Sequence, residues 1–361
     1  MSAPILVMAG GTGGHVFPAL AVARALRERD EKVIWLGTAK GLESRVVPAN
    51  DFPLELVRVA GLRRKGLVSW LFAPFKLLLA IWDALRIVYR VKPKAVLGMG
   101  GFASGPGGFA AWLLRKPLVI HEQNAAAGLT NRLSATMAKE VLQGFPDAFN
   151  GKVAARTIGN PVREDIFSIP APAERLSVES DELRVLVLGG SQGALVLNQT
   201  VPLAVKLLQG AHEISVWHQS GPSTLERAEQ AYKEASVEAR IESFIEDMKS
   251  AYAWADIVVC RAGALTIAEI AAAGLGSVLV PYPSAVDDHQ TRNGMFMVNA
   301  GAAVLIPQPE FNAERLAQEL SAVASDRKRL LEMAEAARSQ AKPDATNDLM
   351  NACLQAAGGA A

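Results

Sequence analysis

The stretch Val258–Asn293, VVCRAGALTIAEIAAAGLGSVLVPYPSAVDDHQTRN, decides the architecture. The run Ile257-Val258-Val259-Cys260 is short and β-branched, as a strand buried on both faces requires. Gly263 interrupts it, and Ala264 to Ala273 then supplies strong helix formers closed by Gly274. A second strand, Ser277 to Val280, precedes a polar loop containing Asp287-Asp288-His289-Gln290. Strand, turn, helix, strand puts a helix N-terminus at the carboxyl end of a parallel strand. There the unsatisfied N–H groups and a partial positive charge favour phosphate. Glu269 lies one turn further in, on an otherwise Ala/Ile helix, where a carboxylate can take both hydroxyls of a ribose. A lone Glu would be read most simply as solvated. With the polar loop after the next strand, a nucleotide-sugar site is the better reading.

Upstream, the same pattern begins at Leu183–Leu188, followed by the glycine turn GGSQGA, Gly189 to Ala194. Further strands are expected at Ile214–His218 and Arg240–Phe244. Strands one and four of this half carry the special turns, at Ser191 and Gly263. Earlier still, the chain shows the pattern once more. Ile5 to Ala9 is a strand, GGTGGH follows, and a helix runs from His15 to about Arg29. Strands recur at Lys32–Gly37, Leu54–Val59, Ala95–Met99 and Pro117–His121. Strand alternating with helix predicts a doubly wound parallel sheet. In the order 3-2-1-4-5, strands 1 and 4 flank the topological switch point, so GGTGGH and GMGGFASGPGG (Gly98 to Gly108) open into one crevice. The fifth strand delivers His121-Glu122-Gln123-Asn124 to the same edge.

GGTGGH is a poor dinucleotide fingerprint. Counted from Gly11, Val16 stands where the third Gly belongs, and the second strand ends in Leu36-Gly37-Thr38 without an acid for the adenosine ribose. A nicotinamide oxidoreductase is therefore disfavoured. The chain leaves the first sheet near Arg156–Arg163, with a hinge at Asn160-Pro161, because the residue before proline is held extended. Arg163, just beyond, is placed to reach a diphosphate lying between the two domains.

The totals agree with two cores. A chain of 361 residues predicts two domains of roughly 150–200 residues each. The net charge of +1 gives no bulk attraction to nucleic acid, and none is expected as a partner. Cys260 and Cys353 make no disulfide framework or metal cluster, which suits a reduced cytoplasm. The N-terminus enters a strand directly, and no run of about eighteen apolar residues predicts a membrane span. One segment stands out. Arg63 to Lys94 carries eight basic residues against one acid, Asp83. Arg64 and Lys65 neighbour Trp70 and Phe72, and Phe72, Phe75, Leu79 and Trp82 recur at helical spacing. Part of it must cover the sheet, but apolar residues flanked by cations also describe a surface for anionic lipids.

Taken in order, GGTGGHVFPA, GMGGFASGPGG, HEQN, GGSQGA and RAGALTIAE closely resemble the MurG family, peripheral bacterial transferases that add N-acetylglucosamine to lipid I and so make lipid II for peptidoglycan. The resemblance spans essentially the whole chain. It implies a GT-B fold, two Rossmann-like doubly wound domains facing each other across a cleft. Residues 1–161 form the acceptor and membrane-facing domain, with a C-terminal helix near 341–361 packing back on it, and 162–340 bind the donor. It implies an inverting transfer from UDP-N-acetylglucosamine to the muramoyl 4-hydroxyl, without metal or cofactor, at the cytoplasmic face of the inner membrane. Cell-wall synthesis or division proteins are the protein partners it admits. Donor contacts carried over fall on Thr12, Gly13, Gly14, Asn124, Arg163, Ser191, Ile245, Ala264, Leu265, Thr266, Ile267, Ala268, Glu269 and Gln290. Gly100, Gly101, Ser104 and Gly105 are assigned to the acceptor diphosphate. Where relatives often carry two glutamines this chain has His289-Gln290, which leaves Gln290 as the sugar contact.

The chemistry needs a base for the acceptor hydroxyl and charge stabilisation for departing UDP. Ser191, Arg163 and the helix N-terminus at Ala264 are the electrostatic candidates. His15, at a helix N-terminus that disfavours imidazolium, is the first candidate base. His121 or Glu122 acting through water is its rival. A non-hydrolysing UDP-N-acetylglucosamine 2-epimerase would share the fold and donor, but it has no use for the basic apolar segment. A non-enzymatic membrane scaffold would explain that segment and not the paired glycine loops.

Overall fold

The computed structural model describes residues 3–58, 73–177, 179–190, 193–284 and 288–358. Contacts divide the chain into two compact units, Met1–Pro161 with Asp344–Ala361, and Val162–Pro343.

The first unit is built on seven strands: β1 Ile5–Met8, β2 Val33–Gly37, β3 Leu54–Leu56, β4 Ala95–Gly98, β5 Leu118–Glu122, β6 Glu140–Gln143 and β7 Arg156–Thr157. Their order is β3-β2-β1-β4-β5-β6-β7, and every pairing is parallel. Strand alternation explains both layers. Ile5 and Val7 point to a core shared with Val16 and Leu20 of the Gly13–Glu28 helix and with Leu349 and Cys353 of the Ala345–Ala356 helix. Leu6 and Met8 point the other way, to Ala84 and Val88 of the Ala73–Val91 helix and Ala110 of the Ser104–Leu113 helix. A strand covered on both faces must be apolar throughout, and β1 is fully buried.

The second unit repeats the plan with six parallel strands, β8 Glu182–Leu188, β9 Glu213–Gln219, β10 Arg240–Glu242, β11 Ile257–Cys260, β12 Gly276–Leu279 and β13 Ala303–Leu305. Their order is β10-β9-β8-β11-β12-β13. The Ala264–Ala273 helix has the bounds expected from its sequence, and Gly274 caps it in the left-handed region at φ 66. Three strands go beyond expectation: β6, β7 and β13 extend the two sheets at one edge. The two residues of β7 are both exposed, so no apolar alternation announces them.

A buried charge cluster braces the second unit. Asp256 is fully buried between Arg184, 2.7 Å away, and Arg327 at 3.2 Å. Among the described residues no helix is long and apolar enough to cross a membrane.

Candidate functional site

In the first unit the two glycine loops meet where β1 and β4 end, as the switch-point argument requires. Gly101 has φ 89 and lies so close to the Gly10 carbonyl that a Cβ would collide with it. Only glycine permits that backbone approach. Thr12 is the N-cap of the Gly13–Glu28 helix without a side-chain cap bond. Its hydroxyl lies 3.3 Å from His15 Nδ1 instead. The His15 ring sits over Gly100, where a Cβ would stand 3.1 Å from Nε2. Thr12, Gly13, Gly14, His15, Gly100 and Gly101 thus share one end of the first sheet. Ser104 is fully buried, its hydroxyl 2.6 Å from the Gly100 carbonyl and 2.9 Å from that of Met8. It ties the second loop to β1.

The HEQN segment turns inward. His121 is fully buried; Gln123 Nε2 donates to its Nδ1 at 3.0 Å, so Nε2–H donates to the Gly159 carbonyl at 2.9 Å. Burial pushes this imidazole down to about 4, which keeps it neutral. Glu122 is 2 % exposed. Its Oε1 accepts from the backbone N–H and side-chain amide of Asn124, at 2.9 and 3.2 Å. Its Oε2 accepts from Gly128 N–H at 3.1 Å and Asn131 Nδ2 at 2.9 Å. Both oxygens are engaged in holding the loop that carries Asn124.

In the second unit, β11 runs into Gly263, the extended N-cap of the Ala264–Ala273 helix. Ala264 and Ile267 bury their side chains in the core, so this terminus presents backbone N–H groups. Leu265, Thr266 and Ala268 are partly exposed on the same helix. Glu269, also on it, is 8 % exposed and accepts a 3.0 Å hydrogen bond from the Tyr252 hydroxyl. Burial pushes the Glu269 carboxyl up; the Arg163 charge and the Tyr252 hydroxyl pull it back, and Asp165 pushes it further up. Arg163 is the N-cap of the short Glu164–Phe167 helix. The His289–Asn299 helix is tied to the same region, because Asn293 Nδ2 donates to the Ala262 carbonyl at 3.1 Å. That helix carries His289 and Gln290, and Gln290 Oε1 accepts the Tyr282 N–H at 2.8 Å. Ile245 is buried, its N–H bound to Gln219 Oε1 at 3.0 Å. Ser191 and Asp287 lie outside the described residues.

The Ala73–Val91 helix leaves Phe75, Leu78 and Trp82 exposed at i, i+3 and i+7, with Leu79 half-buried beside them. Trp112 and Leu113 at the end of the adjacent Ser104–Leu113 helix are exposed as well. Arg64, Lys65, Trp70 and Phe72 lie outside the described residues.

Sequence reasoning missed Tyr252. A tyrosine in AYAWA reads as a core aromatic, and only the packing of the Met248–Trp254 helix against the Ala264–Ala273 helix shows what its hydroxyl holds.

Both halves of the chain have counterparts among known proteins. Residues 5–143 match the glycosyltransferase family 28 N-terminal domain, and residues 184–349 match the glycosyltransferase family 28 C-terminal domain. A protein of Marinobacter nauticus named UDP-N-acetylglucosamine--N-acetylmuramyl-(pentapeptide) pyrophosphoryl-undecaprenol N-acetylglucosamine transferase is 55% identical over 354 residues, 98% of each chain. One of the same name from Alkalilimnicola ehrlichii is 54% identical over 99% of this chain and 100% of its own. Among solved structures, MurG of Acinetobacter baumannii superposes with a TM-score of 0.86 at 38% identity, covering 98% of this chain and all of that one. A Listeria monocytogenes protein described as a UDP-N-acetylglucosamine 2-epimerase superposes at 0.68 with 16% identity over 98% of this chain and 96% of its own, a likeness of fold alone.

Proposed function

The chain belongs to glycosyltransferase family 28, and we propose that it moves N-acetylglucosamine from UDP-N-acetylglucosamine to the muramoyl 4-hydroxyl of lipid I, giving lipid II and UDP. The observation that carries the donor half is Glu269, a buried carboxylate held by Tyr252 on the helix that opens at Gly263. A carboxylate sequestered in this way costs stability, and two ribose hydroxyls are the donors that offset it. The backbone N–H groups at Ala264, with Arg163, neutralise the diphosphate. Gln290 contacts the sugar.

The first unit supplies the acceptor chemistry. The lone pair of the acceptor oxygen forms a bond to the anomeric carbon as the bond from that carbon to the UDP oxygen breaks. The hydroxyl proton passes to His15, the electron pair of the broken bond stays on UDP, and attack on the face opposite the departing UDP inverts the configuration. His15 with its proton on Nδ1 donates to Thr12 Oγ1, which directs Nε2 to the acceptor. The choice between His15 and Glu122 narrows to His15, because four donors already occupy the Glu122 carboxylate. Glu122 positions Asn124. The hydroxyl of Ser104 is likewise committed within the fold, which leaves the backbone of Gly100, Gly101 and Gly105 for the acceptor diphosphate.

The stripe Phe75, Leu78 and Trp82 is assigned to the membrane surface on which a polyprenyl acceptor resides. Lys76 and Arg86, exposed on the same helix, suit anionic headgroups. Incubation with labelled UDP-N-acetylglucosamine and a short-chain lipid I analogue tests the reaction. A β-linked disaccharide product is expected. Release of UDP without transfer, or a 2-epimerised sugar, would refute it.

A further inference from the structure

The first glycine loop is held from behind by a carboxylate that the chemistry above does not use. Glu43 lies in the short segment after β2, fully buried. Its Oε1 accepts from the Thr38 N–H at 2.9 Å and the Thr38 hydroxyl at 2.8 Å, and its Oε2 accepts from the Gly11 N–H at 2.9 Å. Gly10, Gly37 and Gly41 all press against this side chain, so closely that a Cβ on any of them would overlap it. Three glycines therefore form a cradle cut to the shape of one acid. The end of β2 carries no acid aimed at a ribose; the acid comes five residues after Thr38 and points into the loop.

Gly11 is the residue through which this contact acts. It has φ 93, and it directly precedes Thr12, the N-cap of the helix that bears His15. On the other side, the carbonyl of Gly10 is packed against Gly101 of the second loop. The Gly11 N–H thus has one buried anchor, and that anchor fixes where the helix begins. We infer that Glu43 is a positioning residue for the transfer reaction: by holding the Gly11 N–H it sets Thr12 and His15 in the attitude that proton transfer from the acceptor requires. This rests on the reading of His15 as the base. A carboxylate is the side chain the site demands. Three donors converge on two oxygens, whereas an amide would offer one acceptor oxygen and turn an NH2 toward a donor. Small misplacements of a catalytic group are costly because reaction requires near-attack geometry.

The test uses the full chain, a soluble short-chain lipid I analogue and UDP-N-acetylglucosamine. Glu43→Gln should lower kcat by about a hundredfold with donor and acceptor both saturating, as expected for a displaced catalytic group, while its far-ultraviolet circular dichroism stays that of wild type. Glu43→Asp should recover part of that loss. Thr38→Val removes a donor to the same carboxylate without touching Gly11, so it should cost melting temperature and keep kcat. A kcat within about threefold of wild type in folded Glu43→Gln, well short of the misplacement range, overturns the inference. So does an equal kcat loss in Thr38→Val, which marks general loosening. In a His15→Ala background, Glu43→Gln should cost nothing further. A full additional loss there overturns the route through His15, whereas absence of transfer by the wild type would refute the assigned reaction itself.

Discussion

Replacing Glu269 by glutamine should push stability and donor binding in opposite directions. The side chain is 8 % exposed, and burial raises its carboxyl above the unfolded value. A raised folded value means that the stability contribution is present below the unfolded value of about 4.3 and is lost as pH rises through the folded one. The neutral amide removes that loss. Donor-free Glu269→Gln should therefore melt above wild type at pH 8, with the gap closing near about pH 4. Binding tells the other half. Glutamine presents one acceptor oxygen, and Tyr252 competes for it, so a ribose hydroxyl loses a charge-assisted partner. Such a bond contributes about 1.5–3 kcal/mol, which weakens donor Kd by about ten- to 150-fold. Scanning calorimetry without donor and titration with it read the two effects on one sample. Unchanged donor Kd, or a lower melting temperature at pH 8, refutes the reasoning. Tyr252→Phe sharpens the test. It removes the hydroxyl that pulls the Glu269 carboxyl down, so donor binding should be lost at a higher pH on acidification than in wild type.

Other perturbations address other parts of the molecule. His15→Ala should lower kcat by about 10²–10⁴ with donor Kd by calorimetry unchanged; a loss below about tenfold, short of that range, removes His15 as the base. Serine at Phe75 and Trp82, both well exposed on the Ala73–Val91 helix, should weaken flotation with anionic vesicles and spare turnover of a soluble acceptor. Undiminished flotation would place the membrane surface elsewhere. Asp256→Ala strands the Arg184 and Arg327 guanidinium groups and should cost about 3–5 kcal/mol of second-unit stability in urea unfolding. An unmoved midpoint would show that cluster to be dispensable.

The parts of the fold legible in the sequence are those with a strong local signal. The Ala264–Ala273 helix is bracketed by Gly263 and Gly274. The central strands are apolar runs because both faces are covered. The strands at one edge of each sheet are not legible, since β7 exposes both its residues and β13 is a three-residue run, whereas β3 and β10 at the opposite edges are. The candidate site divides in the same way. The glycine loops stand out in the sequence by composition, and Glu269 as the lone acid on an apolar helix. Glu122, Ser104 and Glu43 are polar residues whose burial depends on long-range packing. Glu43 meets Gly11 across 32 residues of sequence. Nothing local distinguishes an acid that faces a substrate from one turned inward to hold a loop.

Product analysis after incubation of the purified chain with UDP-N-acetylglucosamine and a short-chain lipid I analogue tests the central claim most directly. The account predicts one UDP released for each β-1,4-linked N-acetylglucosaminyl-muramoyl product, and product formation by Glu269→Gln slowed by about ten- to 150-fold at donor concentrations well below the wild-type Kd. An unmodified lipid acceptor alongside consumed or epimerised UDP-N-acetylglucosamine would contradict it.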